Sequence, residues 1–190
     1  MGLMNPQNPS ESSDRHAISP RVDTLDGKHV GLYDNGKAAA EPVLEVIKRR
    51  IQERYDDVTF SKFTLDYLNQ SKDPAKMDDV QEWAADGLDV CIGAMGDCGS
   101  CTKFLVWGVE RAERAGVPAV GILDEAFVMD WKSNAIERGW PLRYKEVPVR
   151  SEVADIERVE RDLTEGVIDD IIDELVRPRT DKERDLATPS

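Results

Sequence analysis

Five short apolar runs alternate with stretches of helical period along this chain, and that alternation limits its fold more than any other feature. The runs are His29–Tyr33, Asp57–Phe63, Leu88–Ala94, Ala119–Leu123 and Arg143–Val149, each of strand length. Between and after them, apolar residues recur at helical spacing over about Ala38–Tyr55, Pro74–Asp86, Phe104–Ala115, Asp124–Arg138 and Ile156–Val176. In the first of these, Val43, Leu44, Ile47 and Ile51 share one face, and Pro42 lies early, where its missing N–H is tolerated. Gly116-Val117-Pro118 ends the third. Asn35-Gly36 would suit a hairpin, but the segment after it has helical period, so a strand-to-helix turn is expected.

Strands joined by helical crossovers pair in parallel and need cover on both faces. The expectation is an α/β three-layer domain with a mainly parallel five-stranded sheet. The flavodoxin-like, Rossmann-like doubly wound order 2-1-3-4-5 fits. That order makes strands one and three neighbours and puts ligands beyond their carboxyl ends. The loops there carry Asp34-Asn35-Gly36-Lys37, the cysteine motif and, after strand four, Asp124-Glu125. The domain is expected over residues 28–176. Before it lies a disordered or loosely attached arm, 1–27, and after it a polar tail, 177–190.

The motif is Gly96-Asp97-Cys98-Gly99-Ser100-Cys101-Thr102, placed where the third strand becomes a helix. Cys-x-x-Cys within a β-α-β pattern is the signature of a redox dithiol. Unpaired N–H groups and the dipole at a helix N-terminus stabilise a thiolate. Cys98 would meet substrate and attack, while Cys101, one turn deeper, would resolve. Asp97 opposes a thiolate unless it caps the helix or accepts a proton. Lys37 is either a solvated lysine or a cation that favours the thiolate or holds an anionic substrate. Gly99, Ser100, Thr102, Asn35, Asp124 and Glu125 are the candidate substrate contacts. Asn35 has a turn role as its alternative, and Asp124 and Glu125 a capping one. A zinc site is not expected, because Cys91, His16 and His29 do not supply a second ligand pair. No Gly-x-Gly-x-x-Gly follows a strand, so a bound dinucleotide has no support, and the expected cofactor is none.

Composition narrows the partners. A net charge of −13, from 38 acidic and 25 basic residues, disfavours nucleic acid and anionic membranes. It suits a high-salt cytoplasm or an ordinary acidic protein equally. Three cysteines do not make an extracellular disulfide framework. No apolar run approaches the ~20 residues of a membrane helix, and a cytoplasmic location is expected. The expected partners are a small-molecule substrate or a thiol reductant.

Asp34-Asn35-Gly36-Lys37, the cysteine heptapeptide, Gly116-Val117-Pro118 and Glu125-Ala126-Phe127 together resemble the UGSC family. That family is named for a selenocysteine-Gly-Ser-Cys motif, with cysteine first in some members. The resemblance runs over about Lys28 to Val149. It matches Cys98 to the selenocysteine position and Cys101 to the second cysteine, which implies that the Cys98 sulfur is the reacting atom. The expected function is a thiol-dependent oxidoreductase. The alternatives are a lyase or hydrolase with Cys98 as nucleophile, and a non-enzymatic thiol sensor or binding module.

Overall fold

A computed structural model describes residues 16–66, 77–149 and 155–177. Five parallel strands form one sheet: β1 His29–Asp34, β2 Thr59–Thr64, β3 Val90–Gly96, β4 Ala119–Asp124 and β5 Arg143–Val147. Their order is β2-β1-β3-β4-β5, the doubly wound order that fitted the alternation of strands and helices. The helices are α1 Ala40–Gln52, α2 Asp78–Ala85, α3 Gly99–Arg114, α4 Val128–Glu137, α5 Ile156–Asp162 and α6 Glu165–Val176. A 3-10 turn, Glu125–Phe127, precedes α4.

The helices cover both faces of the sheet. Val43, Leu44, Ile47 and Ile51 of α1 join Ile168, Ile171 and Leu175 of α6 in one apolar layer. Leu105, Val109 and Ala112 of α3 join Val80 of α2 and Trp131 of α4 in the other. β3 is buried at every position, as a central strand of a doubly covered sheet must be. No helix among the described residues is long and apolar enough to cross a membrane.

Two expectations change. The arm expected over 1–27 is not loose where it is described. Ile18 and Leu25 are fully buried and contribute to opposite apolar layers. His16 stacks on Trp140 with centroids 4.5 Å apart, and Val22 N–H donates to the Leu175 carbonyl at 2.9 Å. Widely spaced apolar residues in polar surroundings carry no periodicity, so this packed strap left no sequence signal. The other change is the single helix expected over Ile156–Val176, which is two. The chain leaves helical geometry at Leu163 and Thr164, and Leu163 turns fully into the core. The start of the helix expected from Pro74 and the tail beyond Arg177 lie outside the described residues, as do residues 1–15.

Candidate active site at the β3–α3 turn

The cysteine motif is itself the first turn of α3, five residues earlier than periodicity starts that helix. Gly99 and Ser100 add no apolar residue, so the apolar pattern misses this turn. Cys98 is the N-cap residue, and its Sγ accepts the Cys101 N–H at 3.1 Å. A sulfur thus occupies the position where serine or aspartate oxygen usually satisfies the open helix end. The Sγ atoms of Cys98 and Cys101 are in disulfide contact, with Cα atoms 5.0 Å apart. Cys98 is half-buried, whereas Cys101 is 1 % exposed. Ser100 Oγ lies 3.4 Å from Cys98 Sγ, and Gly99 and Ser100 are exposed on the rim.

Asn35 determines how this turn is held. β3 carries one extra residue between Ala94 and Gly96 relative to β4. Such a bulge leaves backbone groups outside the ladder. The Asn35 side chain takes both groups of Met95: its Oδ1 accepts the N–H at 2.9 Å and its Nδ2 donates to the carbonyl at 2.8 Å. Nδ2 also donates to the Cys101 carbonyl at 3.2 Å. Asn35 is fully buried, so it positions the motif and does not face a substrate. Thr102 is also fully buried, its hydroxyl donating to the Cys98 carbonyl at 2.8 Å. Neither is placed for the substrate contact expected of it, because burial and local hydrogen bonds consume their polar atoms.

The three loops do converge. The charges of Lys37, after β1, and Asp124, after β4, both act on Asp97. Asp124 also caps the 3-10 turn, accepting the Ala126 N–H at 2.9 Å. Glu125 is exposed in that turn. Two further carboxylates join the crevice. Asp34 is buried at the end of β1, accepting the Gly36 N–H at 2.8 Å, and burial pushes its carboxyl up. Asp130 of α4 faces Gly99, where an added Cβ would lie 3.8 Å from its Oδ1. Only the packing of α4 against the start of α3 reveals Asp130, since nothing in its sequence surroundings marks it.

Burial also pushes the Asp97 carboxyl up; Lys37 and its own backbone N–H pull it back, and Asp124 adds to the rise. A carboxyl held above its ordinary value binds its proton more tightly in the folded state. Stability therefore falls as pH rises from about 4 through the raised value. Asp97→Asn is expected to raise Tm near neutral pH, with the gain vanishing below about pH 4. Thermal unfolding of both proteins over a pH series checks this; a lower Tm for the variant at neutral pH would overturn it.

Fold and site define a doubly wound α/β protein with a vicinal cysteine pair at the carboxyl edge of its central strand. Residues 2–177 match the UGSC family model, and the chain belongs to the UGSC family. No curated protein matches it, and no solved structure does.

Proposed function

We propose that the protein is a thiol-dependent oxidoreductase cycling between a Cys98/Cys101 dithiol and its disulfide. One observation carries this reading: a half-buried Cys98 at an open helix end in disulfide contact with a buried Cys101. For a small disulfide as substrate, the Cys98 thiolate attacks one sulfur. A mixed disulfide forms, the substrate S–S bond breaks, and the first thiol leaves with a proton from solvent. Cys101 then gives its proton to the Asp97 carboxylate and attacks Cys98 Sγ. The second thiol leaves, and two electrons have passed to the substrate. A thiol reductant restores the dithiol. Lys37 holds an anionic group of the substrate, while Gly99, Ser100, Asp124 and Glu125 border it. Each step is local to one turn of helix, so no large movement is required.

The cysteines are unequal in this scheme. In the reduced protein, iodoacetamide is expected to label Cys98 roughly tenfold faster than Cys101, or more, because the helix end stabilises an anion on the more accessible sulfur. Peptide mapping across pH reads each rate. Faster labelling of Cys101 below neutral pH would reverse the assignment. Equilibration with glutathione redox buffers tests the cycle itself. A disulfide that forms and reopens near cellular poise supports it. Substrate turnover that survives Cys101→Ser would instead assign Cys98 a covalent, non-redox role.

A further inference from the structure

Among the described residues, one trio of potential metal ligands converges: a carboxylate oxygen of Asp97 and the two sulfurs, all within 4.8 Å of one another. Asp97 is 9 % exposed, and its Oδ1 is sealed from solvent without a hydrogen-bond partner. An orphaned carboxylate oxygen in a protein interior is costly and calls for a partner. Cys91, His16 and His29 supply no second ligand pair, but the Asp97 carboxylate beside Cys98 and Cys101 supplies a third donor.

We propose that the reduced site binds a soft divalent cation such as zinc through Cys98 Sγ, Cys101 Sγ and an Asp97 carboxylate oxygen. Zinc–sulfur bonds of about 2.3 Å and zinc–oxygen bonds of about 2.1 Å in a tetrahedron set donors roughly 3.5–3.8 Å apart. The trio lies close enough to reach that spacing by side-chain torsion once the sulfurs part. Two thiolates, a carboxylate and a dication leave one negative charge, which Lys37 and the N-terminal end of α3 offset. Three protein ligands leave a fourth position open toward the crevice, the pattern of a site that takes water or substrate. On binding, each thiol releases its proton to solvent as its sulfur–metal bond forms. Oxidation by a small disulfide joins the two sulfurs, passes two electrons to that oxidant and frees the cation. Metal and disulfide therefore exclude one another. The proposal shares its sulfurs with the redox reading without depending on it, since a dithiol of any potential can bind metal.

The test uses the full chain, reduced by a phosphine without oxygen and titrated with Cd2+, then competed with Zn2+. The expected result is one equivalent bound, with an ultraviolet sulfur-to-metal band that zinc removes and that a small disulfide abolishes. Asp97→Asn should weaken binding at least tenfold, since even outer-shell partners of a metal site contribute roughly ten- to hundredfold. Cadmium NMR of the parent protein reads the donor set directly, whatever the variant's stability. No sulfur band at one equivalent, a two-sulfur set without oxygen, or Asp97→Asn binding within twofold of the parent would each overturn the proposal. The glutathione equilibration is read on metal-free protein, so failure of either idea leaves the other standing.

Discussion

Replacing Asn35 by alanine is expected to destabilise the protein by about 3 kcal/mol, because it strands buried backbone groups at the bulge. Met95 loses partners for its N–H and its carbonyl, and the Cys101 carbonyl of α3 loses a side-chain donor. An unmet buried group costs about 1–3 kcal/mol, and water entering the space left by the amide offsets part of the sum. In a chain of this size, Tm should fall by roughly 6–12 °C. Asn35→Asp should rescue little: it keeps the acceptor for Met95 N–H, loses both donations and buries a charge. Urea unfolding of the parent and both variants measures the loss. A cost below about 0.5 kcal/mol for Asn35→Ala would mean that the bulge is held by something else. Because the same amide reaches Cys101, the variant should also narrow the difference in labelling rate between the two cysteines.

Asn35 also shows where sequence reasoning stops. Asn before Gly after a strand is turn chemistry, and a turn does form, with Gly36 at a φ of 78°. The side chain's work depends on an extra residue in β3, sixty positions away, which no local pattern marks. Strand number and parallel pairing were legible because apolar runs alternate with helical crossovers, while the order was narrowed to one that fits among the few topologies these leave. The meeting of Lys37, Asp97 and Asp124 followed from that order, since their loops share the carboxyl edge of the sheet. The strap over residues 16–27 and the break at Leu163 were not legible. Ile18 and Leu25 are isolated in sequence, and the apolar pattern runs on across the break. The loops that meet are therefore legible in the sequence pattern, but the polar atoms spent on holding them are not.

Helix α3 is anchored at its far end by a second buried polar cluster, and cutting that anchor carries the largest expected cost. Glu113 and Arg143 are 3 % and 4 % exposed and pair at 2.8 Å. Glu113 also accepts N–H groups from Ser19 and Ala119, and Arg143 donates to the Ser19 carbonyl. The cluster thus joins the last turn of α3, the starts of β4 and β5, and the N-terminal strap. Arg143→Ala leaves the carboxylate buried without its cation and is expected to cost about 3–5 kcal/mol near neutral pH. Burial already pushes Glu113 up, and the Arg143 guanidinium is the first of the groups that pull it back. Without Arg143 the folded-state value rises further. The variant's deficit should then grow as pH rises from about 4 and narrow as the carboxyl regains its proton. Glu113→Gln in the Arg143→Ala background should recover part of the loss at neutral pH, because the amide oxygen still accepts N–H groups and carries no charge. Urea unfolding near pH 7 and pH 5 reads both effects. Equal deficits at the two pH values, with no rescue by glutamine, would show that packing, rather than an uncompensated charge, carries the cost. Early proteolysis of the strap in Arg143→Ala is the matching structural sign, since the Ser19 carbonyl then loses the guanidinium that ties it to β5.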